Sequence, residues 1–405
     1  MSARLSTRFK NLCVVSLVGI LNLSSNAFAQ YSFTQIDPPG STRTQVADIN
    51  NAGQVVGDYQ SAAGWRGFLY HNGIFTDIYV PSSTITQASG INDAGQIVGT
   101  YYDQNNQRHG FLLAGGVYTS FDYPGAQHTQ AHGINNAGQI VGNYEANGTS
   151  YAFLLSSGNY TTINVPGSNY AQAAKTNTSG DVVGFHYDLN NFTRVHGFLL
   201  SGNVVTSFDQ SNTGDTYAQD LNDSGQIVGF GAVNSADIGF VSNNGVYTSV
   251  AYPGAARTSI AGNNNAGQIA GTFDAGGNVL HGFIGIPPEP IYNVCTLYDS
   301  SKAVKSGATL PIKLQLCNAN GTNQSSPSLV LHTTSVTLAN SSVSNTVEDS
   351  GNANPDSDFR YDLSLGGTGG YIFNLSTKGL GTGTYVLKFV VNGGNHVYQA
   401  PFQVK

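Results

Sequence analysis

A phrase of Asn, Gly and paired branched apolar residues returns six times in this 405-residue chain, at intervals near 42 residues. The chain is also poor in charge and rich in aromatic residues, and the two ends of the repeat array complement each other. These observations predict an all-β protein. The expected architecture is a six-bladed β-propeller over residues 30–286, closed by its own N-terminal strand. An immunoglobulin-like β-sandwich follows over residues 292–405, after a Pro-rich linker at 287–291.

Charged residues make up only 10% of the chain, whereas Gly (50), Tyr (22) and Phe (20) are abundant. That balance fits short strands joined by tight turns; a disordered chain would carry more charge and fewer rings.

The first 29 residues read as a signal peptide. Arg4, Arg8 and Lys10 form a basic start, and Leu12 to Leu23 is apolar but short for a membrane span. Ala27-Phe28-Ala29 is a small-x-small cleavage pattern. Export to the periplasm or the exterior is the expectation, with a membrane anchor as the alternative. Cleavage leaves 13 basic against 23 acidic residues, a formal charge of −10. Such a charge argues against non-specific nucleic-acid binding and against docking on anionic membranes. No later segment is long and apolar enough to insert as a helix.

The repeat aligns on Asn50, Asn92, Asn135, Asn177, Asn222 and Asn264, with spacings of 42, 43, 42, 45 and 42. The period suits propeller blades or helical repeats, and the Gly, Asn, Tyr, Val and Thr content favours strands. Residues 128–166 break into "TQAHGIN", "QIVGNYE", "YAFLLS" and "YTTINVP", four pieces of strand length. Asn closes the first hairpin through an Asx-turn, and the Gly three residues on (Gly53, Gly95, Gly138, Gly180, Gly225, Gly267) supplies a positive φ. The Val/Ile pair that follows predicts a strand buried on both faces. The second recurrent Gly (57, 99, 142, 184, 229, 271) predicts close approach of a backbone or a ring.

Closure is legible too. The last copy stops after its third strand, "HGFIGI" (281–286), and "YSFTQID" (31–37) matches the fourth-strand phrase "VYTSFDY" (117–123). The N-terminal strand therefore completes the last blade and removes an exposed edge. An open array or β-solenoid is the alternative.

The phrases "GINNAGQIVG" and "HGFLLAGGVYTSFDYPGA" resemble the HAF-type extracellular repeat family. Its His stands at His109, His196 and His281, and is replaced by Arg66, Tyr151 and Ile238 in the other copies. The resemblance covers about residues 31–286 and implies a bacterial exported repeat protein; the motif implies no activity.

After "IPPEPI" (286–291) the period ends. "TLPIKLQL", "SLVLHTTSVTL", "YIFNLS", "TYVLKFVV" and "VYQAPFQV" read as sandwich strands, and Gly383-Thr384-Tyr385 leads into a tyrosine corner. Pro311-Ile312-Lys313-Leu314, with "EDSGNANPD" (348–356) and "GGYIFNLSTKGL" (369–380), resembles the PxKF-type domain, with Leu in place of its Phe. The resemblance implies a structural or adhesive module. Cys295 and Cys317 form an isolated pair in an exported domain and are expected to be disulfide-bonded, two buried thiols being the alternative.

Catalytic signatures are missing: G-x-S-x-G, H-E-x-x-H, a Walker loop and C-x-x-C do not occur. Third-strand histidines on separate blades lie too far apart to share a metal, so they are expected to pack, as are His128 and His132. Asp48, Lys175 and Asp220 share a column two residues before the repeat Asn. Paired carboxylates there could serve acid/base chemistry, but an ion pair between Lys175 and Asp220 is the expected role. Asp349, Asn352, Asn354, Asp356 and Asp358 form an oxygen-rich loop that departs from EF-hand spacing; it is expected to be solvated, with Ca²⁺ as the alternative. No cofactor is expected.

Variable loops on a uniform scaffold read as recognition elements. The loops after the second and fourth strands share one face, and these variable loops hold Trp65, Tyr101, Tyr102, Arg108, His186, Tyr187 and Arg194. Rings beside polar groups suit a glycan or an extended peptide. The expected function is a secreted, non-catalytic binding or adhesion protein with an unidentified extracellular ligand. The alternative is an extracellular polysaccharide hydrolase or lyase.

Overall fold

The computed structural model describes residues 31–188, 191–210, 214–233, 236–288, 292–318, 320–339, 344–348, 350, 355–394 and 396–405. The expected signal peptide lies outside them. The chain divides into two compact units between Pro287 and Pro288, inside the expected linker. Apart from two short 3₁₀ turns, Pro355–Ser357 and Leu365–Gly367, all described regular structure is strand.

In the first unit the strands pair into six antiparallel four-stranded groups in sequence order. Sheet 1 contains Arg43–Ile49, Val55–Ser61, Gly64–His71 and Ile74–Ile78; sheet 2 contains Ile85–Ile91, Ile97–Tyr102, Arg108–Ala114 and Val117–Phe121. Sheet 3 contains His128–Ile134, Ile140–Ala146, Thr149–Ser156 and Asn159–Ile163, matching the four pieces read from the sequence. Sheet 4 contains Ser168–Thr176, Val182–Asp188, Asn191–Ser201 and Val204–Phe208, and a single parallel bridge, Ser150 to Tyr170, links it to sheet 3. Sheet 5 contains Thr216–Leu221, Ile227–Val233, Ala236–Asn243 and Val246–Val250. Sheet 6 contains Arg257–Asn263, Ile269–Asp274 and Leu280–Ile286. Its fourth strand is Ser32–Ile36 from the N-terminus, with Ser32 opposite Ile286 and Ile36 opposite Gly282.

The packing follows from the recurrent residues. The paired Val55-Val56, Ile97-Val98, Ile140-Val141 and Val182-Val183 are buried, as expected for a strand sandwiched between neighbours. The third strand of every sheet contributes one wholly buried Phe: Phe68, Phe111, Phe153, Phe198, Phe240 and Phe283. Each is worth roughly 1.5–3 kcal/mol of transfer free energy. The second recurrent Gly faces both a ring and a backbone. A Cβ on Gly57 would collide with the Gln45 carbonyl oxygen and lie 2.9 Å from the Phe68 ring, and the other five sites repeat this geometry.

The outer strands are fastened by a second column. His109 Nδ1 lies 2.9 Å from Asp122, His196 Nδ1 2.8 Å from Asp209 and His281 Nδ1 2.8 Å from Asp37. The copies without His also lack Asp at the equivalent position: Arg66 stacks over the Tyr79 ring at 4.5 Å, and the copies with Tyr151 and Ile238 have Asn164 and Ala251 there in the aligned sequence. The two positions change together because they touch. In sheet 6 the pair ties the N-terminal strand in place.

In the second unit, Asn293–Thr296, Thr309–Cys317, Gly370–Ser376 and Arg360–Asp362 form one sheet. Ser344–Asn345, Leu331–Leu338, Gly383–Val391 and Tyr398–Val404 form the other. Both contribute to one core, with Ile312, Leu314 and Phe373 from the first and Val336, Leu387 and Phe402 from the second. Tyr385 donates its hydroxyl to the Gly381 carbonyl at 3.2 Å, as a tyrosine corner requires. Cys295 and Cys317 are disulfide-bonded with their Cα atoms 6.1 Å apart. Closing a loop of this length is worth about 3 kcal/mol.

Candidate functional site

The first strand of each sheet carries a β-bulge at the same place. Its register skips Ala47, Ser89, His132, Ala174, Gln219 and Ala261 in turn. A bulge re-aims the side chain it releases. All six released residues line one cavity of about 330 Å³, so the six first strands surround a common axis. Gln45, Gln172 and Asp58 complete its polar wall. A second cavity of about 540 Å³ shares Gln45, Val46, Gln219 and Ala261 with it and extends to Arg43, Asp237, Arg257 and Asn278. Arg43 and Arg257 begin their first strands, so this axial cup opens at the variable-loop end.

Below the cup the axis is filled. Gly90, Gly133 and Gly262 leave no room for a Cβ beside the neighbouring backbone, and Asp48, Lys175 and Asp220 occupy the space from the other three sheets. Lys175 Nζ is bonded to Asp48 and lies 4.0 Å from Asp220. The expected ion pair with Asp220 is therefore the longer of two contacts, and the nearer partner comes from sheet 1. Asp48 also accepts the Ile49 and Ile91 N–H groups at 2.7 and 2.8 Å; Asp220 accepts those of Leu221 and Asn263 at the same distances. Burial works against the Lys175 charge, but the two carboxylates outweigh it and hold its pKa above the ordinary lysine value. Burial pushes Asp220 up to about 7 while Lys175 pulls it down. With a donor on every carboxylate oxygen and the cation between them, the triad forms a buried plug below the cup.

At the far, hairpin end the repeat asparagines join neighbouring sheets. Asn135 Oδ1 accepts the Ala137 and Gln139 N–H groups at 3.0 and 2.9 Å, and its amide donates to the Asn177 carbonyl of the next sheet at 2.9 Å. The same inter-sheet bond runs from Asn50 to Asn92, Asn92 to Asn135, Asn222 to Asn264, and Asn264 back to Asn50. The small cavity there, about 50 Å³, is ringed by hydrogen-bonded groups, with Asn263 Oδ1 the one buried lining atom that has no partner among the described residues. Asp93, for example, stays below the ordinary carboxylate range: burial would raise it, but hydrogen bonds from Asn51 and Asn136 prevail.

The cup differs in this respect. Asp58, 8% exposed, has one carboxylate oxygen, Oδ2, with no hydrogen-bond partner among the described residues, and Arg43 Nε is likewise unpartnered. Burial pushes Asp58 up to about 7, against a hydrogen bond from Gln87 and the charge of Arg43. His132 Nε2 lies 2.6 Å from Asn143 Oδ1, and burial holds its pKa below the ordinary histidine value.

The seven residues expected in the variable loops lie instead on strands of three sheets and line none of these cavities. Trp65 is half-buried on the third strand of sheet 1, opposite Gln60. Tyr101 stacks on His109 at 5.1 Å, and Tyr102 pairs with Ile85 and Arg108 in the sheet ladder. Arg108 bridges to Glu145 at 2.6 Å and Gln130 at 2.9 Å, fastening sheet 2 to sheet 3. His186 is buried against Ser207 and His196, Tyr187 packs edge-on to Tyr170, and Arg194 pairs with Asp209 at 3.1 Å. Of the oxygen-rich loop, Asp349, Asn352 and Asn354 lie outside the described residues. Asp356 is exposed, and Asp358 is 2.7 Å from His332 Nδ1. Among the described residues no group of three or more His, Cys, Asp or Glu side chains is placed to hold a metal.

Asp58 and the glutamines belong to no catalytic motif in the sequence, and His132 was expected only to pack. A signal for part of the set exists: Gln45, Gln87, Gln130 and Gln172 recur five residues before the repeat Asn. Asp58 is also the only carboxylate in a column otherwise made of Thr100, Asn143, Phe185, Phe230 and Thr272.

No family model matches this chain, and no curated protein does. Among solved structures it is similar to the β-propeller domain of the Trilobed protease from Pyrococcus furiosus, at 8% identity and TM-score 0.39, over 60% of this chain and 95% of that one. It is also similar to a triple arginine-to-alanine mutant of AofleA from Arthrobotrys oligospora, at 11% identity and TM-score 0.41, over 65% of this chain and 89% of that one. These likenesses concern the fold.

Proposed function

We propose that this chain is an exported, non-catalytic binding protein whose ligand, a glycan or an extended peptide, enters the axial cup. In this reading the six sheets are the blades of a closed propeller of the HAF-type repeat family. The second unit is an immunoglobulin-like PxKF-type module with a structural or adhesive role. The observation that carries the reading is the cup itself: one bulge, repeated in all six sheets, opens a polar cavity at the end where the loops vary. Amide and hydroxyl groups there donate and accept, which is what orientation of a polar ligand requires. Trp65, Tyr101, Tyr102, Arg108, His186, Tyr187 and Arg194 would then support the surrounding loops.

A glycan array, with a reducing-sugar assay on every hit, tests this on the full mature chain. Binding without turnover is expected, with loss of binding in Gln172→Leu and Gln219→Leu and none in Trp65→Ala, Tyr102→Ala or Tyr187→Ala. The opposite pattern would move the site to the outer loops. The elevated Asp58 carboxyl favours a second reading, an extracellular polysaccharide hydrolase or lyase, because a carboxyl near 7 can give or take a proton at neutral pH. Release of reducing ends that vanishes in Asp58→Asn would establish it. Mass spectrometry of exported material should find Gln30 at the N-terminus.

A further inference from the structure

The polar cup leaves open whether a sugar or a peptide fills it, and two of its groups bear on that choice. Asp58 Oδ2 is a buried acceptor without a donor, and Arg43 Nε is a buried donor without an acceptor. Both belong to sheet 1, where Asp58 stands opposite Gln45 and Arg43 opposite Gln60, two residues apart in the register and so on the same face. Arg43 is the cation that acts on the Asp58 carboxyl, yet the two are not paired with each other. Their cavities meet along Gln45, Val46, Gln219 and Ala261. Buried polar groups are normally hydrogen-bonded, so two that no protein atom satisfies are places where a bound molecule can supply the partner.

A single group that donates to one partner and accepts from the other is a hydroxyl. A backbone amide presents its N–H and its carbonyl on different atoms pointing apart, and cannot bridge two adjacent groups in this way. A carboxylate ligand would satisfy Arg43 and be repelled by ionised Asp58; an ammonium ligand would have the reverse difficulty. Building on the cup as the binding site, we propose that it takes a neutral saccharide unit, one hydroxyl of which donates to Asp58 Oδ2 and accepts from Arg43 Nε–H. Gln45, Gln172, Gln219 and Ser89 supply the mixed donors and acceptors that the other hydroxyls need. The inner cavity, about 330 Å³, has room to admit a sugar ring, and the wider cavity continues from it toward the loops.

The groups facing Asp58 set the pH behaviour. Arg43 from the first strand of sheet 1 and Gln87 from sheet 2 stabilise its charge, while His132 from sheet 3 shares the cavity wall and is kept neutral by burial. Affinity should therefore rise between pH 6 and pH 8 as the carboxyl ionises and becomes a pure acceptor.

The test is calorimetric titration of the full mature chain with cellotetraose, maltotetraose, xylotetraose and mannotetraose, beside a library of extended peptides. At least one neutral tetrasaccharide should bind. Asp58→Asn and Arg43→Met should each weaken it tenfold or more, and the double variant should lose little beyond either single one, because both grip the same hydroxyl. The pH dependence should flatten in Asp58→Asn. Fully additive losses, or sugar binding unchanged in Asp58→Asn, would overturn the shared-hydroxyl geometry while leaving the cup as a binding site. Peptide binding in the cup without sugar binding would overturn the saccharide assignment alone. Sugar binding that survives Gln172→Leu and Gln219→Leu would remove the cup reading and this inference with it.

Discussion

The two ends of the axial channel are built from the same six strands and behave in opposite ways. At the hairpin end, Asn50, Asn92, Asn135, Asn177, Asn222 and Asn264 are buried and fully engaged, and the cavity they ring holds about 50 Å³. At the loop end, six bulges open a cavity of about 330 Å³ in which Asp58 leaves a carboxylate oxygen unpartnered, and Arg43 leaves Nε unpartnered beside the adjoining cavity. Repetition serves satisfaction at one end, since the same turn in each sheet brings an Asn amide to the backbone carbonyl of the next. At the other end it serves variation. The bulge is repeated, while the residue on it changes from Ala47 to Ser89 to His132 to Gln219. A rigid end and a divergent end on one scaffold are what a binding protein needs.

Breaking the ring as a whole should have the largest effect. Deletion of residues 30–38 removes the strand Ser32–Ile36 and the Asp37–His281 contact, and exposes the edge of Leu280–Ile286. Loss of a cooperative thermal transition by circular dichroism, with aggregation, is expected. An unchanged melting temperature would mean that the array is open.

Next comes the plug between the two ends. Lys175→Met strands Asp48 and Asp220 without their cation, in a site where Asp48 and Asp220 are 2% and 1% exposed. Breaking a buried ionic network in this way costs about 3–5 kcal/mol, measurable by urea unfolding.

Asp58→Asn should move stability the other way. The folded-state pKa, about 7, lies above the ordinary 3.8, so the folded protein keeps this proton longer than the unfolded chain does. The carboxyl's contribution is fully present below about pH 4 and is lost as pH rises toward 7. The variant should therefore gain on the parent through that window and stay ahead by a few kcal/mol above it. Urea midpoints at pH 5 and pH 8 with the same difference between variant and parent would contradict this account.

The smallest effects sharpen the contrast between the ends. Asn135→Ala loses its Asx-turn and its bond to the Asn177 carbonyl, and should cost about 1–3 kcal/mol. Gln172→Leu in the cup should change the urea midpoint little and affect binding instead. Equal stability losses at the two positions would show that both ends are scaffold.

Much of this was legible beforehand, for a physical reason: hairpins, strand length and burial on two faces are local properties. A turn needs its Asn and Gly within four residues, and "INNAGQIVG" states the turn and the buried strand together. The complementary ends of the array were equally plain, because a missing strand is a matter of counting. The link between third and fourth strands also left a trace, in His109 with Asp122, His196 with Asp209 and His281 with Asp37, although it is read only once the contact is known.

The tertiary structure decided the rest. The bulge in each first strand has no signature in its own residues, since Ala, Ser, His and Gln all occupy it; it arises where six strands crowd one axis. That crowding also chose Lys175 to reach Asp48 from across the sheets, and left Asp58 buried and short of a partner. The aromatic and basic residues of the loops, which look like a binding face when read along the chain, are occupied with their own sheets because neighbours distant in sequence reach them first. Local chemistry determined which turns and strands this chain forms. Only the convergence of six strands on one axis determined which polar groups are satisfied within the protein and which are left without a partner.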